Sequence, residues 1–337
     1  MTAELVGVSL PDEELKAVTA RYPYAITAEM ARLIDPKDPQ DPIARQFLPR
    51  QEETLRSREE ADDPIGDDTH SPVKGVVHRH RDRVLVKSVL SCPVYCRFCF
   101  RREAVGHGKG TLTNHELDQA AAYVSAQRMV REVIMTGGDP FILSPRRIRE
   151  LALRFAQIGH VEILRWHTRV PCVAPERITP ELIDALRVDG ATSFVNLHAN
   201  HPREFTPAAC QAIARLVDAG VPMLSQTVLL RDVNDDVDTL EALMRSFLVN
   251  RIKPYYLHHP DLAPGTGHFR LSIETGIGLM HALRPRLTGI AMPDYVLDLP
   301  GGHAKVSLLS RDAEALGEGR WRLRDQDGKW HLYPPSP

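Results

Sequence analysis

The chain has 337 residues, 43% of them hydrophobic, and a net charge of −2 from 42 basic and 44 acidic side chains. That length supports a sizeable core, as one large domain or one domain with appendages, and the balanced charge excludes nucleic acid or an anionic membrane as a main electrostatic partner. No stretch approaches the roughly 20 apolar residues of a transmembrane helix. The first residues, "MTAELVGVSLPDEELKAV", lack a signal-peptide core. Five cysteines, three of them bunched together, argue against a disulfide framework, and a reducing, cytoplasmic location is expected.

Residues 1–75 read as a helical and wrapping extension. "PDEELKAVTARY" and "TAEMARLI" have the pattern of short amphipathic helices. "DPKDPQDPIARQ" and "EEADDPIGDDTHSPVKG" are rich in Pro and Asp and predict turns and extended segments.

An alternation begins near residue 83. Strands are predicted at 83–90, 132–137, 161–166, 192–198, 222–230 and 252–258, with helical patterns separating most of them and a further helix, "SIETGIGLMHALRP", after the last. Thr179 and Thr206 are N-cap candidates, each followed by a proline suited to the first helical position. Such alternation means βαβ units around a parallel sheet. Six units over 76–289 fit a partial (βα)6 TIM-like barrel, because a complete eightfold barrel needs about 250 residues. A doubly wound open sheet has the same periodicity and stays open at this point. The tail, 290–337, reads as a C-terminal β-rich segment with a hairpin turn at Asp327-Gly328.

Directly after the first strand comes "SCPVYCRFCFRRE", with Cys92, Cys96 and Cys99 spaced C-x3-C-x2-C. Cys172 and Cys210 lie far away in sequence. A structural zinc site wants a fourth ligand. Three thiols on one loop can instead hold three irons of a [4Fe–4S] cluster and leave the fourth open. Spacing alone also allows a zinc completed by a histidine, or thiols packed in the core.

The cysteine loop resembles the signature of the radical SAM enzymes, in which S-adenosylmethionine (SAM) chelates the open iron. The wider chain is similar to the lysine 2,3-aminomutase family. The segments that carry the likeness include "DPKDPQDPIARQFLP", "CPVYCRFCFRRE", "GGDPFIL", "LHANHPREFT", "AGVPMLSQTVLLRDVND", "KPYYLHHPDLAPGTGHFR" and "DLPGGHAKVSL", in order along most of the chain. The resemblance implies a radical SAM barrel and an isomerase that converts L-lysine to β-lysine by 2,3-migration of the amino group. It also implies [4Fe–4S], SAM and pyridoxal 5′-phosphate (PLP) as cofactors, an electron donor such as flavodoxin or ferredoxin, and a homo-oligomer.

Several residues acquire roles through that resemblance. Gly137, Gly138 and Asp139 fall in the segment that pairs with the methionine amino group of SAM, and two glycines there let backbone approach a ligand closely. Arg169, His198 and Gln226 match positions near SAM. Lys305, after the Gly-rich turn "LPGGHAKV", matches the lysine that carries PLP, and a lysine so placed can form a Schiff base with an aldehyde. Arg79 and Arg83 in "HRHRDR" match positions near PLP, whose phosphate suits forked cations. Arg101 matches the arginine that grips the substrate α-carboxylate. Asp261 and Asp298 match the pair that meets the ε-ammonium of lysine, an arrangement that would repel glutamate.

Two departures stand out. Extra cysteines that bind a structural zinc in some relatives have no counterpart here, so no zinc is expected. A tyrosine near PLP corresponds to His258, and "YYLH" is like the branch that makes β-lysine for modifying elongation factor P, which keeps that pathway as an alternative role. A non-catalytic protein binding a metal cluster is the alternative from outside enzymology.

Overall fold

The structure, a computed structural model, describes residues 13–107, 110–325 and 327–334. All six predicted strands form. They are β2 (Arg83–Val89), β3 (Glu132–Gly137), β4 (Ile163–Thr168), β5 (Thr192–His198), β6 (Met223–Val228) and β7 (Lys253–His258). They follow β1 (Val76–His80) and precede β8 (Asp294–Asp298) and β9 (Lys305–Ser307). The sheet runs β1 to β9 in sequence order, with every neighbour from β2 to β8 parallel and both outermost strands antiparallel. A doubly wound sheet reverses its strand order at a switch point. This one never does, so the architecture is a partial barrel left open between β1 and β9.

Three short helices belong to the N-terminal extension: α1 (Glu13–Arg21), α2 (Ala28–Leu33) and α3 (Pro42–Phe47). Residues 11 and 12 of the first expected helix lie outside the described residues. The helices that complete the six βα units are α4 (Asn114–Ala126), α5 (Pro145–Ala156), α7 (Pro180–Leu186), α8 (Pro207–Asp218), α9 (Val237–Val249) and α10 (Ile273–Leu283), with the single-turn α6 (Val170–Val173) after β4. Local chemistry explains their placement. Thr179 and Thr206 accept from the backbone N–H of Leu182 and Ala209, as expected of N-caps. Helix α5 buries Ile148, Leu151, Ala152, Phe155 and Ala156, a stripe at 3.6-residue spacing that faces the sheet side. Truncating Leu151 or Phe155 there costs about 2–5 kcal/mol. Five of the six residues of β3 are buried, as a parallel strand covered on both faces requires.

The structure corrects the sequence reading at three places. "DPIARQ" is not an irregular turn. Asp41 caps α3 through the N–H groups of Ile43 and Ala44, and Pro42 occupies its first position. Val76–His80 forms an antiparallel strand that the charge-rich "HRHRDR" concealed. The tail beyond residue 290 also divides. Strands β8 and β9 extend the barrel sheet, while β10 (Ala313–Gly317), β11 (Arg320–Arg324) and β12 (Trp330–Tyr333) form a separate antiparallel sheet. The turn between β11 and β12 contains Asp327 and Gly328, with Gly328 at φ +82°.

The extension is seated beneath the cysteine loop. Glu53, wholly buried, accepts from Arg97 at 2.6 Å and also from Arg102. The Arg97 N–H donates to the Gln46 carbonyl at 2.8 Å. No helix among the described residues is long and apolar enough to cross a membrane.

Candidate active site

A cavity of about 230 Å³ opens inside the partial barrel, and every residue nominated from the sequence lines it. Parallel strands explain the convergence. Their carboxyl ends point the same way, so the loops that follow them gather at one mouth.

The cysteine loop leaves β2 there. Its Arg97 turns back to Glu53, which leaves Cys92, Cys96, Phe98 and Cys99 toward the cavity. Phe98 packs edge-on against Phe269 at 6.1 Å. Burial pushes all three thiols upward, Cys99 to about 11. Buried thiols of that kind become stable thiolates when iron supplies the missing positive charge. Among the described residues, no three His, Cys, Asp or Glu side chains converge as the ligands of one metal ion would. A cluster has no such requirement, because each iron takes its own thiolate.

Gly138 packs against this loop. A Cβ there would meet the Ser91 carbonyl oxygen at 2.2 Å, so only glycine permits the contact. Asp139 lines the cavity, but its carboxylate accepts from the backbone N–H groups of Phe141 and Arg169 and from the Thr168 hydroxyl. It fastens the ends of β3 and β4 together, while the Gly138 and Asp139 N–H groups donate to the Val89 and Ser91 carbonyls and tie the segment to the cysteine loop. Arg169 is similarly engaged. Its terminal nitrogens meet Cys96 Sγ at 3.1 Å, Glu204 at 2.5 Å and Gln46 at 3.1 Å.

Across the barrel floor runs a polar chain. Gln226 meets Asn196, Asn196 meets His167, and His167 Nδ1 lies 3.1 Å from His198 Nε2. Burial lowers both histidines, His198 to about 3, so the pair is neutral near pH 7.

Lys305 stands at the other pole. Its ammonium pairs directly with Asp298 and lies 3.5 Å from His258 Nδ1 and 5.2 Å from the Tyr256 ring centre. Asp298 is held well below the usual carboxylate range: Lys305 and His258 outweigh the burial that opposes them. Asp261 is raised to about 7, first by burial and then by the neighbouring Asp298 charge. Arg79 and Arg83 face the same end. An irregular register in β1 between Val77 and His80 brings Arg79 and His80 to the cavity together. Arg79 Nε is buried without a hydrogen-bond partner, which suits an incoming phosphate oxygen.

Arg101 projects from the cysteine loop. Asp67 takes its Nε at 2.6 Å, on the edge away from the terminal fork. Asp67 also lies 3.9 Å from both Arg79 and Lys87. The Asp-rich stretch around it gave no signal that distinguished it from its neighbours. His80, Arg165, His167, Tyr255 and Tyr256 were missed too. For Tyr255 and Tyr256 an aromatic pair in the middle of β7 was the available hint.

The donor sets suit the groups implied by the sequence: three thiols for irons, an enclosed lysine in one cavity with two guanidinium groups for an aldehyde phosphate, and a glycine-lined wall that lets a ligand lie close to backbone. A sequence model of the radical SAM superfamily matches residues 86–243. The L-lysine 2,3-aminomutase of Clostridium subterminale is 37% identical over 304 residues, covering 90% of this chain and 73% of that one. The L-lysine 2,3-aminomutase of Fusobacterium nucleatum is 36% identical, covering 95% of this chain and 76% of that one. The glutamate 2,3-aminomutase of Clostridioides difficile is 32% identical, covering 94% of this chain and 75% of that one. With such coverage, and with the radical SAM match spanning the cysteine loop and β3–β6, the chain belongs to the lysine 2,3-aminomutase family of radical SAM isomerases.

Proposed function

We propose that the substrate is L-lysine and the product β-lysine. The observation that carries this reading is the pair of carboxylates, Asp261 and Asp298, facing the cavity beside Lys305. Two acidic groups and the Arg101 guanidinium lining one cavity suit an amino acid with a second ammonium at its far end. A glutamate side chain would bring a third negative charge to the carboxylate pair.

Cys92, Cys96 and Cys99 would hold the cluster, and the backbone of Gly137 and Gly138 with His198 and Gln226 would border SAM. Lys305 would carry PLP, with Arg79 and Arg83 on its phosphate. When bound, these groups supply the radical and the electron-delocalising ring that nitrogen migration needs. The protein contributes placement. Arg101 fixes the carboxylate end, the aspartates fix the ammonium end, and the enclosing strands keep water from the reacting carbons. Asp139 and Arg169 act indirectly, by holding loop ends and the Cys96 sulfur in place. A cytoplasmic setting and a small-protein electron donor complete this reading.

The test is anaerobic. The protein is reconstituted with iron and sulfide, supplied with PLP, SAM, reductant and lysine, and its products are separated on a chiral column. β-Lysine is the expected product. Turnover of glutamate or another amino acid in place of lysine overturns the substrate assignment.

A further inference from the structure

His258 ends β7 with its ring inside the cavity, and nothing in the reading above uses it. Its Nδ1 lies 3.5 Å from Lys305 Nζ and 3.5 Å from Asp298 Oδ2. Its Nε2 is buried and makes no hydrogen bond. Tyr256 holds the ring edge-on, with centroids 5.6 Å apart. His167 and His198 line the same cavity.

An ammonium is not a nucleophile. Before Lys305 can attack a carbonyl it must lose a proton, and the choice of acceptor is narrow. Asp298 touches the ammonium, yet its strongly stabilised carboxylate makes it a poor base. Asp261 makes no hydrogen bond to Lys305, although each senses the other's charge. The remaining neighbour is the His258 imidazole, neutral because burial and then the Lys305 charge lower its pKa to about 4. The second cause vanishes as the proton leaves Lys305, so the imidazole becomes a better base as the transfer proceeds. With hydrogen on Nε2, the Nδ1 lone pair faces Lys305. Asp298 then stands where it would stabilise the imidazolium once the proton has moved.

We propose that His258 is the proton-transfer residue for Lys305, accepting a proton from its ammonium as it condenses with an aldehyde and returning it to the departing oxygen. This rests on the assignment of Lys305 as the aldehyde-binding lysine. The step balances. The Nζ–H bond breaks with its electrons left on nitrogen, and the proton goes to His258 Nδ1. The freed pair forms the C–N bond, the second Nζ–H then breaks with its pair becoming the C=N bond, and the carbonyl oxygen takes both protons, one of them delivered by His258, and leaves as water. The third ammonium proton stays on the resulting imine nitrogen. Hydrolysis of the imine runs the same transfers in reverse.

The test uses the full chain without cluster or SAM. Reaction with PLP is followed by absorbance. Reaction with a small neutral aldehyde, propionaldehyde, is quenched by borohydride at timed intervals and located by peptide mass spectrometry. His258→Gln should slow modification of Lys305 by both probes at least tenfold while leaving final occupancy unchanged. The slow variant should recover in proportion to added imidazole buffer, an effect that a purely structural role would not show. An unchanged rate, or slowing without imidazole recovery, overturns the proposal. Should His258→Gln fail to fold, His258→Tyr carries the same test, since a phenol offers no base near neutral pH. PLP that modifies Lys305 no faster than exposed lysines would refute the PLP reading instead, because propionaldehyde still reports on His258.

Discussion

Asp298 on β8 and Lys305 on β9 are register partners across the antiparallel edge of the barrel, and their side chains meet as an ion pair facing the cavity. The pairing fixes the lysine through backbone hydrogen bonds rather than through a loop alone. It also gives Asp298 two cations to serve, the protein's own lysine and the proposed substrate ammonium. Lys305→Ala should abolish the visible absorbance of lysine-bound PLP. It also leaves a buried carboxylate without its main cation, which costs about 3–5 kcal/mol. Lys305→Arg should lose the absorbance while retaining most of the stability. Spectra with PLP and urea denaturation of the three proteins check both statements, and absorbance that survives Lys305→Arg would show another lysine to be the attachment point.

Asp261 makes the substrate site sensitive to pH. Its folded-state pKa of about 7 lies above its unfolded value, so the folded protein keeps a proton there that the unfolded chain would release. Stability from this group is therefore lost as pH rises toward 7, and Asp261→Asn should raise the melting temperature at pH 8 but not at pH 3.5. Cation binding has the opposite slope. The carboxylate is fully charged only above pH 7, so lysine should bind about tenfold more tightly at pH 8 than at pH 6. Calorimetry at the two pH values, in two buffers of different ionisation enthalpy, would also detect the released proton. Equal affinity at both would remove Asp261 from the ammonium site.

Much of this was legible in the sequence because it is written locally. The six strands and six helices follow from short apolar periods bounded by caps such as Thr179 and Thr206. The cysteine loop declares itself through spacing. What was hidden depends on tertiary context. Nothing near Asp67 shows that Arg101 will fold onto it from 34 residues away. An irregular register, invisible in the residue pattern, brings Arg79 and His80 to the cavity together. Asp139 and Arg169 illustrate a different limit. Position puts both at the cavity, but only the hydrogen-bond pattern shows the Asp139 carboxylate and the terminal nitrogens of Arg169 committed to protein partners, with Arg169 Nε left unpaired.

Glu53 joins the N-terminal extension to the cluster loop. It is wholly buried, and its counter-charge among the described residues is the pair of guanidinium groups from Arg97 and Arg102, with the Arg50 backbone N–H donating to it at 2.8 Å. Glu53→Gln would leave two buried cations short of a counter-charge, a loss of roughly 3–5 kcal/mol. The cysteines flank those arginines, so the loop should loosen before the barrel does. Reconstituted protein should bind markedly less iron, and chemical denaturation should start at lower urea. Full iron loading in Glu53→Gln would mean that the loop is held by the barrel alone.

Gly302 sets the turn that delivers Lys305. Its φ is +78°, and a Cβ there would meet the Ile65 carbonyl oxygen at 2.3 Å and Arg79 Cδ at 2.8 Å. The left-handed backbone alone costs a non-glycine residue roughly 1–3 kcal/mol. The carbonyl cannot swing aside as a side-chain tip can, so the turn must shift as a unit. Such a shift moves Lys305 and Arg79 together, the two groups proposed to hold the aldehyde carbon and the phosphate of PLP. Gly302→Ala should therefore weaken PLP binding by more than tenfold while the circular dichroism of the barrel stays unchanged. Gly278→Ala on α10 is the control, because a Cβ there meets nothing within 4 Å. PLP titration of both variants, read by absorbance, separates a displaced lysine from a general loss of stability. Equal affinities in the two would show that the turn tolerates a side chain and that the position of Lys305 is fixed by β9 alone.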